Sequence, residues 1–161
     1  MIKWSFKKFN NLELKELYDI LKLRASVFVV EQDCAYQDLD KKDDQATHVM
    51  GYSKKKLVAY SRFFAPSTID DKYSKIGRVV IQKENRGKGI GLSLMKRSIV
   101  FCRSKFAGAA ITISAQDHLK NFYKRLGFVE KGKIYLEDGI PHCAMYLDIS
   151  LINSASAPGG L

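Results

Sequence analysis

The spacing of apolar residues changes along the chain, and each change marks an element. Residues 3–9, KWSFKKF, predict a short edge strand. Asn10 or Asn11 is expected to cap a helix whose stripe is Leu14, Leu17, Leu21 and later Phe28, with a break before VFVVEQ. Residues 33–47, DCAYQDLDKKDDQAT, have no apolar period and read as a long loop, a length that is usually functional or disordered. THVMGYS and LVAYSRFFA flank a lysine-rich turn and predict an antiparallel hairpin; KIGRVVIQ adds a strand. A glycine-rich stretch then opens a helix with Met95, Ile99, Cys102 and Phe106 on one face. Ala109, Ile111, Ile113 and Ala115 alternate as a strand, and QDHLKNFYKRL predicts a short helix ending at Gly127. Two strands close the series, around FVEKGKIYLE and HCAMYLDISL, the latter alternating at Met145, Leu147, Ile149 and Leu151.

This order places one strand–helix–strand crossover inside an otherwise antiparallel set. The expected class is α+β: a mixed, mostly antiparallel sheet of about seven strands flanked by about four helices. Residues 1–152 are expected to form one domain, and 153–161, small and turn-rich, a flexible tail.

Composition narrows the partners. Lys and Arg outnumber Asp and Glu by 27 to 17 in 161 residues, a net charge of +10 that favours an anionic ligand. Apolar residues make up 46% of the chain, enough for a packed core. The three cysteines, Cys34, Cys102 and Cys143, lack CxxC spacing, which argues against a zinc site or disulfide framework and for a reducing compartment. The N-terminus lacks a secretory apolar region, and no window approaches the ~20 apolar residues of a membrane span, so the expected location is cytoplasmic. Lysines are spread along the chain, with neither a base-reading helix nor an RNP-like aromatic pair, so nucleic acid is not the expected partner.

The chemistry gathers at QKENRGKGIGLSLMKRS, residues 82–98. Each glycine weakens a helix interior by roughly 1 kcal/mol, so three at alternating positions, Gly87, Gly89 and Gly91, at a helix start need compensation. GxxxxGK[ST] does not fit, because Gly89 follows Gly87-Lys88 and position 82 is Gln. GxGxxG does not fit either, because positions 92 and 94 are leucine. A helix N-terminus nevertheless attracts anions, and glycines let a phosphate approach the backbone. The alternative is a glycine-rich cap with no ligand.

Arg86-Gly87-Lys88-Gly89-Ile90-Gly91 resembles the R/Q-x-x-G-x-G/A signature of the GNAT superfamily of N-acetyltransferases, between a strand and a helix as that family requires. Phe122 to Phe128, FYKRLGF, resembles the family's Y-x-x-x-G-F element. VFVVEQDCAYQDLDKKD, HVMGY, GRVVI, AQDHLKNFY and YLEDGIPHCAM are similar to the ElaA-like branch. The resemblance implies an acetyl-CoA-dependent N-acetyltransferase acting on a primary amine of a small molecule or peptide, with no metal, and a homodimer as a further option. The same fold without catalysis, sensing acyl-CoA, is the alternative.

By the same resemblance, residues 86–91 (Arg86, Gly87, Lys88, Gly89, Ile90, Gly91) hold the cofactor's pyrophosphate. The backbone of Val79, Val80 and Ile81 pairs with pantetheine, one N–H polarising the thioester carbonyl. Gln116 either hydrogen-bonds pantetheine or caps the next helix. Tyr123 is the general acid for the departing thiolate, suited by a phenol pKa near 10, with packing under the sheet as the alternative. The catalytic Glu of some relatives matches Ile111, so a base is not carried over. Candidates are Glu31, Asp33, Asp38, His118 and His142; burial of Glu31 at a helix end would raise its pKa. The acidic loop with Asp38, Asp40, Asp43 and Asp44 either attracts a cationic amine or is simply solvated. Cys34 and Cys143 are thiols near substrate or small apolar residues.

Overall fold

The computed structural model describes residues 1–69 and 72–148; the expected tail, Ile149 and Leu151 lie outside them. Seven strands form one mixed sheet: β1 (Lys3–Lys8), β2 (Thr47–Ser53), β3 (Lys56–Phe64), β4 (Ser74–Ile81), β5 (Ile111–Gln116), β6 (Val129–Glu137) and β7 (Ile140–Leu147), in the order β1-β2-β3-β4-β5-β7-β6. β4 and β5 run parallel; β1–β2, β2–β3, β5–β7 and β6–β7 are antiparallel. The helices are α1 (Leu14–Arg24), α2 (Ile90–Lys105) and α3 (Lys120–Lys124). A π-helical segment, Ala25–Glu31, prolongs α1 and makes up the fourth helix expected from the sequence. No helix among the described residues is long and apolar enough to cross a membrane.

The chain divides into two compact units, Met1–Phe64 with Ile76–Ser98, and Ala65–Lys75 with the chain from Ile99 onward. In the first unit α1 differs from its expected register. Its N-cap is Glu13, not Asn10 or Asn11, which lie in a single 3-10 turn. Glu13 and Glu16 form a reciprocal capping box, with the Glu13 N–H donating to the Glu16 carboxylate at 2.9 Å. Leu14 is 89% exposed, and the buried stripe is Ile20, Leu23, Arg24 and Val27. Ile20, Leu23 and Val27 pack on Met50, Leu57, Tyr60 and Val80. The expected stripe ran one position off, missing Ile20, Leu23 and Val27; Arg24 lies on it, between Leu21 and Phe28, and is buried as well.

That arginine anchors a charge network. Arg24 is fully buried; its Nε lies 2.8 Å from Asp38 and its Nη1 2.7 Å from Asp43. Arg62 on β3 pairs with Asp43 at 2.7 Å and with Asp40. Arg78 on β4 pairs with Asp38 at 2.8 Å and donates from Nη2 to the Asp38 carbonyl at 2.9 Å. The segment expected to be a solvated or amine-attracting loop is thus pinned by its own carboxylates. His48 closes one end: a carbonyl only accepts, so Nε2–H donates to the Asp43 carbonyl at 2.9 Å, and Nδ1 accepts from the Tyr60 hydroxyl at 2.8 Å. Burial lowers the His48 pKa and raises that of Tyr60, so both are neutral at pH 7. Burial would raise Asp40 and Asp43, but the arginine hydrogen bonds and charges win, holding Asp40 at about 2 and lowering Asp43.

In the second unit the expected alternation holds. Ile111, Ile113 and Ala115 on β5 are buried and lie opposite Leu147, Met145 and Cys143 on β7. Of the face expected on α2, Ile99 and Cys102 here and Met95 in the first unit are buried, while Phe106 lies just past the helix and is half-buried. All three cysteines are free.

Replacing Asp38 by Ala leaves Arg24 and Arg78 without a shared counter-charge; urea unfolding at pH 7 is expected to show a loss of about 3–5 kcal/mol. Acid acts in the same direction. His48 has a folded pKa below its ordinary 6.5, so the unfolded chain takes the proton first and stability falls as pH drops below that value. Asp40 and Asp43 contribute fully above their ordinary 3.8, and that contribution is lost as pH falls toward 2. The thermal midpoint should therefore fall from about pH 6.5 downward, most steeply below about pH 4. A midpoint flat from pH 7 to 3 would contradict this network.

Candidate active site

β4 feeds the glycine turn through an irregular strand. Arg78, inside β4, has a left-handed backbone (φ 50°), a conformation costing a non-glycine residue roughly 1–2 kcal/mol. Val80 points into the core, while Val79 and Ile81 are half-buried. The Gln82 N–H donates to the Val58 carbonyl at 2.8 Å, and a 3-10 turn, Lys83–Asn85, leads into the motif.

Gly87 and Gly89 both have φ 73°, where L-residues are disfavoured, and a Cβ at either would meet nothing within 4 Å. Their glycine requirement is thus conformational, and the space beside them is open. α2 starts at Ile90, and the Ser93 N–H donates to the Gly89 carbonyl at 3.0 Å. The preceding amides belong to the first turn, which has no intrahelical acceptors, and carry the positive end of the helix dipole. The cations of the motif are braced: Arg86 Nε donates to the Ile81 carbonyl at 3.0 Å, and Lys88 Nζ to the Glu84 carbonyl at 2.8 Å.

Two residues singled out in the sequence meet here. The Arg86 guanidinium grips Glu31 through two nitrogens, Nη2 donating to Oε2 at 3.0 Å. Expected burial would have raised the Glu31 pKa; instead the Arg86 hydrogen bond lowers it. Asp38 is enclosed by Arg24 and Arg78. Asp33 is an exposed left-handed turn residue (φ 48°).

In the second unit Tyr123 lies on α3, buried between Phe122 and Phe128, with ring centroids at 5.1 and 6.1 Å. Burial pushes its phenol up to about 12, so it stays protonated at neutral pH. Gln116 ends β5 opposite His142 on β7. His118 sits exposed in the short 3-10 turn Asp117–Leu119. Cys143 is buried with Sγ 3.8 Å from Glu130, as a packed residue rather than an open thiol.

Sequence reading missed two groups. One is Arg24, Arg62 and Arg78, which only the fold brings together on the aspartates of one segment. The other is Ser114, Tyr135 and Glu137, which only strand pairing brings together.

Residues 16–149 match the Acetyltransferase (GNAT) domain family. Protein ElaA of Escherichia coli is 38% identical over 151 residues, spanning 92% of this chain and 98% of ElaA. The crystal structure of that ElaA superposes with a TM-score of 0.86. An acyl-CoA N-acyltransferase from Pseudomonas aeruginosa superposes at 0.87, with 40% identity over 91% of this chain and 99% of its own. The chain therefore belongs to the GNAT acetyltransferase family, in its ElaA-like branch, and is an acetyltransferase enzyme.

Because neither glycine is confined by neighbours, Gly89→Ala isolates the backbone cost. Urea unfolding should show a loss of about 1–2 kcal/mol. No loss would mean that the turn is not left-handed at this residue.

Proposed function

We propose that this enzyme transfers an acetyl group directly from acetyl-CoA to a primary amine. The observation that carries the reading is the open pair of left-handed glycines at the start of α2, within the family's pyrophosphate signature. A diphosphate at residues 86–91 would meet backbone N–H groups, the helix dipole and the charge of Lys88. It would compete with Glu31 for Arg86. The backbone of Val79, Val80 and Ile81 takes the pantetheine amides and one N–H polarises the thioester carbonyl. Gln116 is a further pantetheine contact.

The amine attacks the thioester carbon, a tetrahedral intermediate forms, and the C–S bond breaks. Tyr123 supplies the proton to the departing sulfur, a role supported by a phenol that burial keeps protonated. Glu31, held ionised by Arg86, is a poor proton acceptor at neutral pH; in this reading it contacts the cationic acceptor rather than acting as base.

The test is release of free thiol from acetyl-CoA across a panel of primary amines, with coenzyme A affinity measured by calorimetry. Turnover with at least one amine is expected. Tyr123→Phe should lower kcat about 100-fold or more while coenzyme A affinity stays within threefold. Coenzyme A binding without turnover of any amine would favour an acyl-CoA sensor, and absence of coenzyme A binding would overturn both readings.

A further inference from the structure

The second unit carries an organised polar cluster of which the transfer chemistry above uses only Gln116. Strand pairing sets Gln116 opposite His142, His142 opposite Tyr135, and Ser114 opposite Ala144. Directly paired residues share a sheet face, so Ser114, Gln116, His142 and Tyr135 lie together, and Glu137, two residues beyond Tyr135, joins them. The opposite face holds the buried Ile113, Ala115, Cys143 and Met145. The two faces differ in kind: one is apolar core, the other aromatic and polar, with its β5 members half-buried and His142 buried.

The hydrogen bonds on that surface run one way. The Ser114 hydroxyl has one proton, and Glu137 Oε2, 2.7 Å away, can only accept it. The Tyr135 hydroxyl therefore donates to Ser114 Oγ. The relay ends on the Glu137 carboxylate. Among the described residues no Lys or Arg pairs with Glu137, in a chain of net charge +10. The nearby Lys131 is turned to other partners, Tyr73 and Tyr146, with Nζ 5.2 and 5.8 Å from their rings. His142 stacks on Tyr135 with centroids at 6.2 Å. Its Nδ1–H donates to the Ile140 carbonyl at 2.7 Å, which leaves the lone pair on Nε2.

We propose that this face binds the acceptor amine, with Glu137 and the Tyr135 ring taking its ammonium group and His142 Nε2 receiving its proton. This rests on the transferase reading above and names the acceptor class: a primary alkylamine that arrives protonated. An unpaired carboxylate beside aromatic faces suits an ammonium through charge, hydrogen bonding and cation–π attraction. The balance is complete. The ammonium gives one proton to His142, the freed lone pair forms the N–C bond, and the C–S bond breaks. The sulfur takes the Tyr123 proton, and the nitrogen's surplus proton returns to the tyrosinate. His142 then releases its proton to solvent. The face also explains how a chain without the family's fifth-strand glutamate would obtain a base, since Ile111 stands at that position.

The test uses the full chain with isotope-labelled histidine and follows the His142 ring signals by NMR. Butylamine, phenethylamine and 1,4-diaminobutane are titrated at fixed pH, with sodium chloride at matched ionic strength as control. At least one amine should produce a saturable His142 shift absent from the salt control. Glu137→Gln, which keeps the shape and a hydrogen-bond acceptor, should weaken that apparent affinity at least tenfold. Tyr135→Phe, which keeps the carboxylate and the ring, should weaken it less than threefold. No saturable shift with any of the three amines, or an equal affinity in Glu137→Gln, overturns the proposal. Calorimetry with coenzyme A on the same samples separates the outcomes: unchanged binding leaves the transferase reading standing while the amine site falls.

Discussion

Three arginines and three aspartates, drawn from α1, β3, β4 and the segment between α1 and β2, fix the first unit around one buried charge set. Such a set is not a cheap source of stability. Removing ions from water costs several kcal/mol each, and mutual attraction offsets that cost only when the geometry is complete. What the set provides is uniqueness. Asp38 reaches both Arg24 and Arg78, and Asp43 reaches both Arg24 and Arg62, so displacing one member exposes two. A segment without apolar period acquires a fixed path because Asp38, Asp40 and Asp43 are paired with arginines of the surrounding elements.

The same set bears on β4. Arg78 is both a member of the network and the left-handed residue inside β4. Its pairing with Asp38 opposes the backbone cost of that conformation. β4 then runs through the 3-10 turn into Gly87 and Gly89, and Arg86 ties the turn back to the strand through the Ile81 carbonyl. Backbone irregularity and backbone chemistry thus share a strand: regular pairing would consume the groups that an acyl donor's amides need. Glu31 adds a second tie to Arg86 from the end of the π-helical segment.

The second unit divides its two sheet faces by chemistry. Alternation on β5 and β7 sends Ile113, Ala115, Cys143 and Met145 to the core and leaves Ser114, Gln116 and His142 on the other side. Tyr123 is kept neutral by apolar packing against Phe122 and Phe128, whereas Glu137 stays in a polar, accessible setting. Environment sets the two apart: burial raises the pKa of the phenol, while the carboxylate sits half-buried beside a hydroxyl.

The sequence by itself determined the element order, the alternation of β5 and β7, and the glycine turn, because strand period and left-handed turns are local properties of the backbone. It also carried the two motifs that mark the family, Arg86 to Gly91 and Phe122 to Phe128. The apolar spacing of α1 left Arg24 out of the core, and an arginine becomes a core residue only when distant carboxylates meet it. Glu31 was assigned the wrong direction of pKa shift because Arg86 lies 55 positions away. Ser114, Tyr135, Glu137 and His142 come from three strands, and their register depends on pairing across turns. Tertiary structure alone decided which charges meet, since a charge's energy is set by its neighbours in space, and those are not its neighbours along the chain.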